Sequence, residues 1–127
     1  PELDAAEQAL AEGDLAAAEE RFLALVESRP GDHSLLEALR YVQAGLRVSA
    51  EAEAPAGSVP EALRAADQLL VGGEYDSAFS VLTDAIRVHF GDDRGTLRAR
   101  LLEILESLPS DDPRVLAARR DLASALY

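Results

Sequence analysis

The sequence predicts an all-α fold, built as a short array of antiparallel helical hairpins. Three observations carry this. Apolar residues recur at helical spacing in seven stretches, and no run alternates apolar and polar residues as a half-buried strand does. Glycine, proline and acidic residues separate the stretches at positions that end and cap helices. One pattern also occurs twice, sixty residues apart. Its first copy is Ala5-Ala6-Glu7-Gln8-Ala9-Leu10-Ala11-Glu12-Gly13-Asp14-Leu15, followed by Ala18, Phe22 and Leu25. Its second is Ala65-Ala66-Asp67-Gln68-Leu69-Leu70-Val71-Gly72-Gly73-Glu74-Tyr75, followed by Ala78, Leu82 and Ala85.

Each copy reads as a helix, a glycine-acidic-apolar turn and a second helix. A small residue three positions beyond the turn lets the two helices approach closely. This is the pattern of a tetratricopeptide helix-turn-helix unit. The first helix is expected over Leu3–Glu12, with Leu3, Ala6 and Leu10 on one face. The second spans Leu15–Ser28 and buries Ala18, Phe22, Leu25 and Val26, until Pro30-Gly31 stops it. Asp32 caps a third, His33–Val48, whose apolar face is Leu35, Leu39, Val42 and Leu46.

Residues 49–58, rich in Ala, Glu, Pro and Gly, form an expected linker. It stands where the second helix of another hairpin is due, which accounts for a spacing of sixty rather than about thirty-four or sixty-eight residues. Ser58 caps a fourth helix with Pro60 in its first turn, where a missing N–H is harmless. This helix buries Leu63, Ala66, Leu69 and Leu70. A fifth, Tyr75–Phe90, buries Ala78, Leu82, Ala85, Ile86 and Phe90, and Gly91-Asp92-Asp93 breaks the chain. A sixth, Arg94–Leu108, carries Leu97, Leu101, Ile104, Leu105 and Leu108 on one stripe. Asp112-Pro113 opens a seventh with Val115, Ala118, Leu122 and Leu126 inside. Residues 1–48 and 59–127 are thus two parts of one expected domain, the last two helices forming a capping pair.

At 127 residues the chain can bury a substantial core. It has no Cys, Met, Trp, Lys or Asn, and every cationic side chain is Arg apart from two His. Without cysteine the domain has no thiol or disulfide chemistry of its own. The formal charge is -12. Such a surface repels phosphate backbones and anionic membranes, so neither nucleic acid nor membrane is an expected partner. No stretch is apolar over the ~20 residues of a membrane span. The start at Pro1 suggests an excised piece of a longer protein, from a bacterium with a GC-rich coding sequence.

The last third is more specific. Gly91-Asp92-Asp93, then Arg98-Ala-Arg-Leu-Leu-Glu-Ile-Leu105, then Asp111-Asp112-Pro113 and Arg119-Arg120-Asp-Leu-Ala-Ser-Ala-Leu-Tyr127 resemble the C-terminal region of the YbbN/CnoX-type thioredoxin-like proteins. Those proteins join a thioredoxin-fold domain to a tetratricopeptide-like helical domain that ends in an Arg-Arg-x-Leu-x-x-x-Leu-aromatic sequence. The resemblance covers essentially the whole chain, with a shorter middle. It implies a cytoplasmic chaperone or co-chaperone role linked to protein folding and redox homeostasis, exercised on unfolded clients or with a chaperone machine. The alternative is a generic scaffold or oligomerisation module from an unrelated parent.

Two groups of residues are candidate contact sites. Leu3, Glu7, Leu63 and Asp67 occupy matching positions on the first helices of the two hairpins, giving an expected groove with an apolar floor and an acidic rim. Its partner would be an apolar segment with neighbouring Lys or Arg. The competing reading of Leu3 and Leu63 is plain core. Arg94, Arg98, Arg100, Arg119 and Arg120 form an expected basic patch for an acidic partner or for the parent's own thioredoxin domain. Its competing reading is that these arginines, and Arg114 with them, pair with nearby carboxylates such as Asp92, Asp93, Glu103 and Asp112. Tyr127 is expected either as a core plug for the last helix, the favoured reading, or as a partner-facing anchor. His33 and His89 lack the companions a metal site needs, no serine has a histidine at a recognisable spacing, and no glycine-rich loop carries a lysine. No enzyme activity, cofactor or metal is therefore expected, and the partners are proteins, a second copy of the chain among them.

Overall fold

The computed structural model describes residues 1–50 and 52–127. Glu51, inside the expected linker, lies outside the described residues. The chain forms α1 (Glu2–Ala11), α2 (Leu15–Ser28), α3 (His33–Ser49), α4 (Val59–Val71), α5 (Tyr75–Val88), α6 (Gly91–Glu106) and α7 (Pro113–Leu126). Among the described residues there is no strand.

The two copies of the repeated pattern close with the same hydrogen bonds. At the first turn, Gly13 N–H donates to the Leu10 carbonyl and Asp14 N–H to the Ala9 carbonyl. At the second, Gly73 N–H donates to Leu70 and Glu74 N–H to Leu69. Both are Schellman closures, and each requires a left-handed residue. Gly13 and Gly73 supply it, at φ of 78° and 77°. Beyond the turns, Ala18 and Ala78 are fully buried where the paired helices approach.

Local capping sets the other starts. The side chains of Asp14, Asp32, Ser58 and Asp112 accept backbone N–H groups in the first turns of α2, α3, α4 and α7. Several boundaries differ from expectation, most of all between the fifth and sixth helices. The fifth helix stops at Val88, because His89 leaves the helix at φ -119° and ψ 153°. Its Nδ1 lies 2.8 Å from the Ala85 carbonyl and its Nε2 3.0 Å from the Gly57 carbonyl, tying the segment before α4 to the end of α5. Phe90, expected in the core, is consequently 70% exposed and stacks under the Arg94 guanidinium. The break thus falls at His89-Phe90, and Gly91-Asp92-Asp93 opens α6 instead, with both carboxylates in the first turn, where the helix dipole favours them.

The core is divided. α1, α2 and the Leu35-Leu39-Val42 face of α3 enclose one apolar cluster with Ala6, Ala18, Phe22 and Leu25. A larger cluster joins α4, α5, α6 and α7 around Leu70, Leu82, Ile86, Leu101, Ile104 and Val115. α6 and α7 both pack on α5. α3 belongs to both clusters, since its Ala44 is buried in the second.

Candidate protein-interaction site

In solenoid arrays, stacked hairpins present a concave surface on which partners dock. Here the corresponding face of α4 and α6 is covered by α3. Residues Glu37, Arg40, Ala44 and Arg47 follow one another at spacings of three and four, so they share one face of α3. That face meets α4, α5 and α6 through charge and hydrogen bonding more than through apolar contact.

Asp67 of α4 anchors it. The carboxylate is 4% exposed. Arg47 grips both oxygens at 2.9 Å, and Arg100 of α6 donates to them at 3.1 and 3.4 Å. A buried carboxylate needs such pairing, and planar guanidinium groups supply it with defined geometry. Burial, and next the like charge of Arg47, pull the Arg100 guanidinium below its ordinary value, while Asp67 and Glu103 push back. Arg40 stands 3.7 Å from Glu103 of α6. At the other end, the Tyr75 hydroxyl donates to Glu37 at 2.7 Å, and the Arg114 guanidinium lies 4.9 Å above the Tyr75 ring. Arg114 also pairs with Asp112, whose carboxyl is held below the usual range by hydrogen bonds from the Arg114 side chain and backbone N–H.

Burial is the first cause pushing the Tyr75 phenol well above its ordinary value, followed by its hydrogen bond to Glu37 and the Glu37 charge; the Arg114 charge opposes them. The folded state therefore favours the neutral phenol. Its contribution is complete below the unfolded value near 10 and is lost as pH rises toward the folded one. In an absorbance titration, Tyr75→Phe should remove an ionisation that in the parent chain begins well above pH ~10 and accompanies unfolding. Loss of a step near pH 10, with the fold intact, would show Tyr75 to be solvated.

The structure separates the expected groove residues. Leu3 packs with the first cluster and Leu63 with the second. Glu7 is exposed on α1. Asp67 faces α3 and is paired, so its charge is not offered to a rim. The expected basic patch also divides. Arg94 donates to the carbonyls of Ile86 and His89, and Arg100 belongs to the Asp67 network. Arg98 is exposed on α6, and Arg119 and Arg120 are exposed on α7. The last two share the outward stripe of α7 with Leu116, and Tyr127 follows just beyond the helix end. Tyr127 is not a core plug: it is fully exposed, and Ala125 is the buried residue at that end. Two features lay outside the sequence reading: the Arg47–Asp67–Arg100 network, and an apolar groove of about 300 Å³ between the start of α4 and the end of α5.

Among the described residues no group of three potential metal-ligating side chains lies together, and no helix is long and apolar enough to cross a membrane.

Paired helices closed by identical turns, with further helices stacked on them, define a helical-hairpin repeat domain of the kind that binds other proteins. The tetratricopeptide repeat family matches residues 42–127, and the chain belongs to that family. Curated relatives include the uncharacterized proteins Mb1359 of Mycobacterium bovis and Rv1324 of Mycobacterium tuberculosis, each 31% identical over 134 aligned positions. The alignment covers 100% of this chain and 44% of each relative, so the chain spans less than half the length of the curated relatives it matches. No solved structure matches the chain.

Proposed function

We propose that this domain is the non-catalytic protein-binding part of a thioredoxin-like chaperone or co-chaperone, acting in the bacterial cytoplasm on unfolded clients or with a chaperone partner. The observation that carries this reading is the outward stripe of α7. Arg119, Arg120 and Tyr127, part of the ending that contributes to the chaperone resemblance, are exposed, and so is Leu116 on the face of Arg119 and Arg120, at 50%. The core does not require them, and cationic, aromatic and aliphatic side chains together suit a docking surface. An acidic partner surface fits it by charge. Membership of the tetratricopeptide family supports the broader reading, a generic scaffold or oligomerisation module, equally well. The described charged clusters serve packing, which supports a domain without catalysis, cofactor or metal. The absence of cysteine suits a reducing compartment.

The test is light scattering from a chemically denatured client protein, with and without this chain. Suppressed aggregation is expected. Charge reversal at Arg119 and Arg120 should leave the fold intact and weaken any complex with an acidic thioredoxin-fold partner. No suppression at equimolar or higher chain would reject the chaperone reading and leave the scaffold.

A further inference from the structure

The geometry points to a second contact surface: we infer that the groove between α4 and α5 receives an amphipathic helix from a partner protein, one with a small or aliphatic stripe flanked by Lys or Arg. This rests on the protein-binding reading above and names the place and form of the contact.

The two sides of α5 are treated differently. α7 packs on one side, and Phe79 of α5 shares the larger cluster with Val115, Ala118 and Leu122 of α7. Val81, Asp84, Ala85 and Val88 lie about half a helical turn away. In a regular array each hairpin packs against both neighbours, so that second side should be covered by the second helix of the preceding hairpin. This chain lacks it. α3 runs to Ser49, none of the described residues between it and Val59 is helical, and α3 itself packs on the Asp67 side of α4. The place of a missing helix is therefore open.

What remains there has the form of a helix seat. Its floor is Ala62, Ala65, Val81, Ala85 and Val88, within a cleft of about 300 Å³. The alanines let a backbone approach closely, and Val88 is 69% exposed although it continues the apolar floor. Val81 to Val88 spans two helical turns, enough to seat a partner's i, i+3, i+4, i+7 stripe. The rim selects charge. Glu61 and Asp84 flank the floor. Arg87 offsets part of the Asp84 charge, at 2.7 Å. Glu61 accepts a hydrogen bond from Gly57 N–H. The chain as a whole carries -12. A cationic flank is thus attracted both at the rim and at long range.

The probe is a synthetic helical peptide of about four turns with a Leu/Ala stripe and Lys flanks, and a twin with Glu flanks. Titration against the whole chain should show the Lys peptide binding at least tenfold more tightly than its twin. Val88→Arg should weaken the Lys peptide by about tenfold or more. Glu61→Lys should shift preference toward the Glu-flanked twin. Circular dichroism checks that both variants fold, which their exposed positions allow. Binding that is indifferent to both variants, or lost instead on charge reversal at Arg119 and Arg120, overturns the groove while leaving protein binding intact. Client protection without any binding of the Lys peptide does the same. Concentration-dependent dimerisation abolished by Val88→Arg would make a second copy of the chain the occupant and overturn the partner assignment. Failure of both client protection and peptide binding removes the underlying reading as well.

Discussion

Asp67→Ala should destabilise this domain by about 3–5 kcal/mol, because it leaves two guanidinium groups facing each other in a largely dry seam. Arg47 and Arg100 retain 34% and 18% side-chain exposure, too little for water to replace the carboxylate fully. In thermal unfolding the midpoint should fall by roughly 10 °C or more for a chain of this size. Replacing all three members together, Asp67→Leu with Arg47→Met and Arg100→Met, should recover most of the loss, since it removes the desolvation cost along with the attraction. A midpoint for Asp67→Ala within about 2 °C of the parent would mean that the seam is hydrated and the network marginal.

Leu101→Ala should have an effect of similar size, about 3–5 kcal/mol, for a different reason. Leu101 is fully buried in the larger cluster. Removing its branched end leaves a cavity that the α4–α6 face, already held by α3 and the Asp67 network, has little freedom to close. The measurement is the urea midpoint followed by helical signal. Leu39→Ala, in the smaller cluster, is the useful comparison. With fewer neighbours to hold the fold together, it should loosen α1–α3 ahead of α4–α7 and broaden the transition. A loss below about 1 kcal/mol for Leu101→Ala would contradict the packing described.

The hairpins were legible because their determinants are local. Gly13 with Asp14 and Gly73 with Glu74 lie within a few residues of the carbonyls their N–H groups reach, and Asp32, Ser58 and Asp112 cap helices that begin beside them. Phe90 and Tyr127 misled for a related reason. Helical periodicity says which face a residue shares, but not whether a neighbouring helix reaches that far along the face. At Phe90 the helix has ended, and at the C-terminus the packing stops at Leu126, one residue before Tyr127. The Asp67 network was not legible, since its arginines lie 20 and 33 residues away and only tertiary packing brings them together. The expected pairing of Leu3 with Leu63 assumed two hairpins stacked in register. With one helix missing between them, the first hairpin keeps its own cluster.

The division of the chain by α3 also sets the order in which it can fold. Most contacts join helices adjacent in sequence, α1 with α2, α2 with α3 and α4 with α5, and such near-neighbour topology folds fast. During synthesis α1–α3 can close over Phe22 and Leu39 before the ribosome has made α6. Arg47 meets Asp67 only later, and the latch is complete once Arg100 has left the exit tunnel. The seam is then a late, long-range step on top of rapid local ones. Until it forms, the charged side of α3 faces water rather than an apolar surface, and a nascent chain that shows charge instead of a bare core is poorly placed to aggregate.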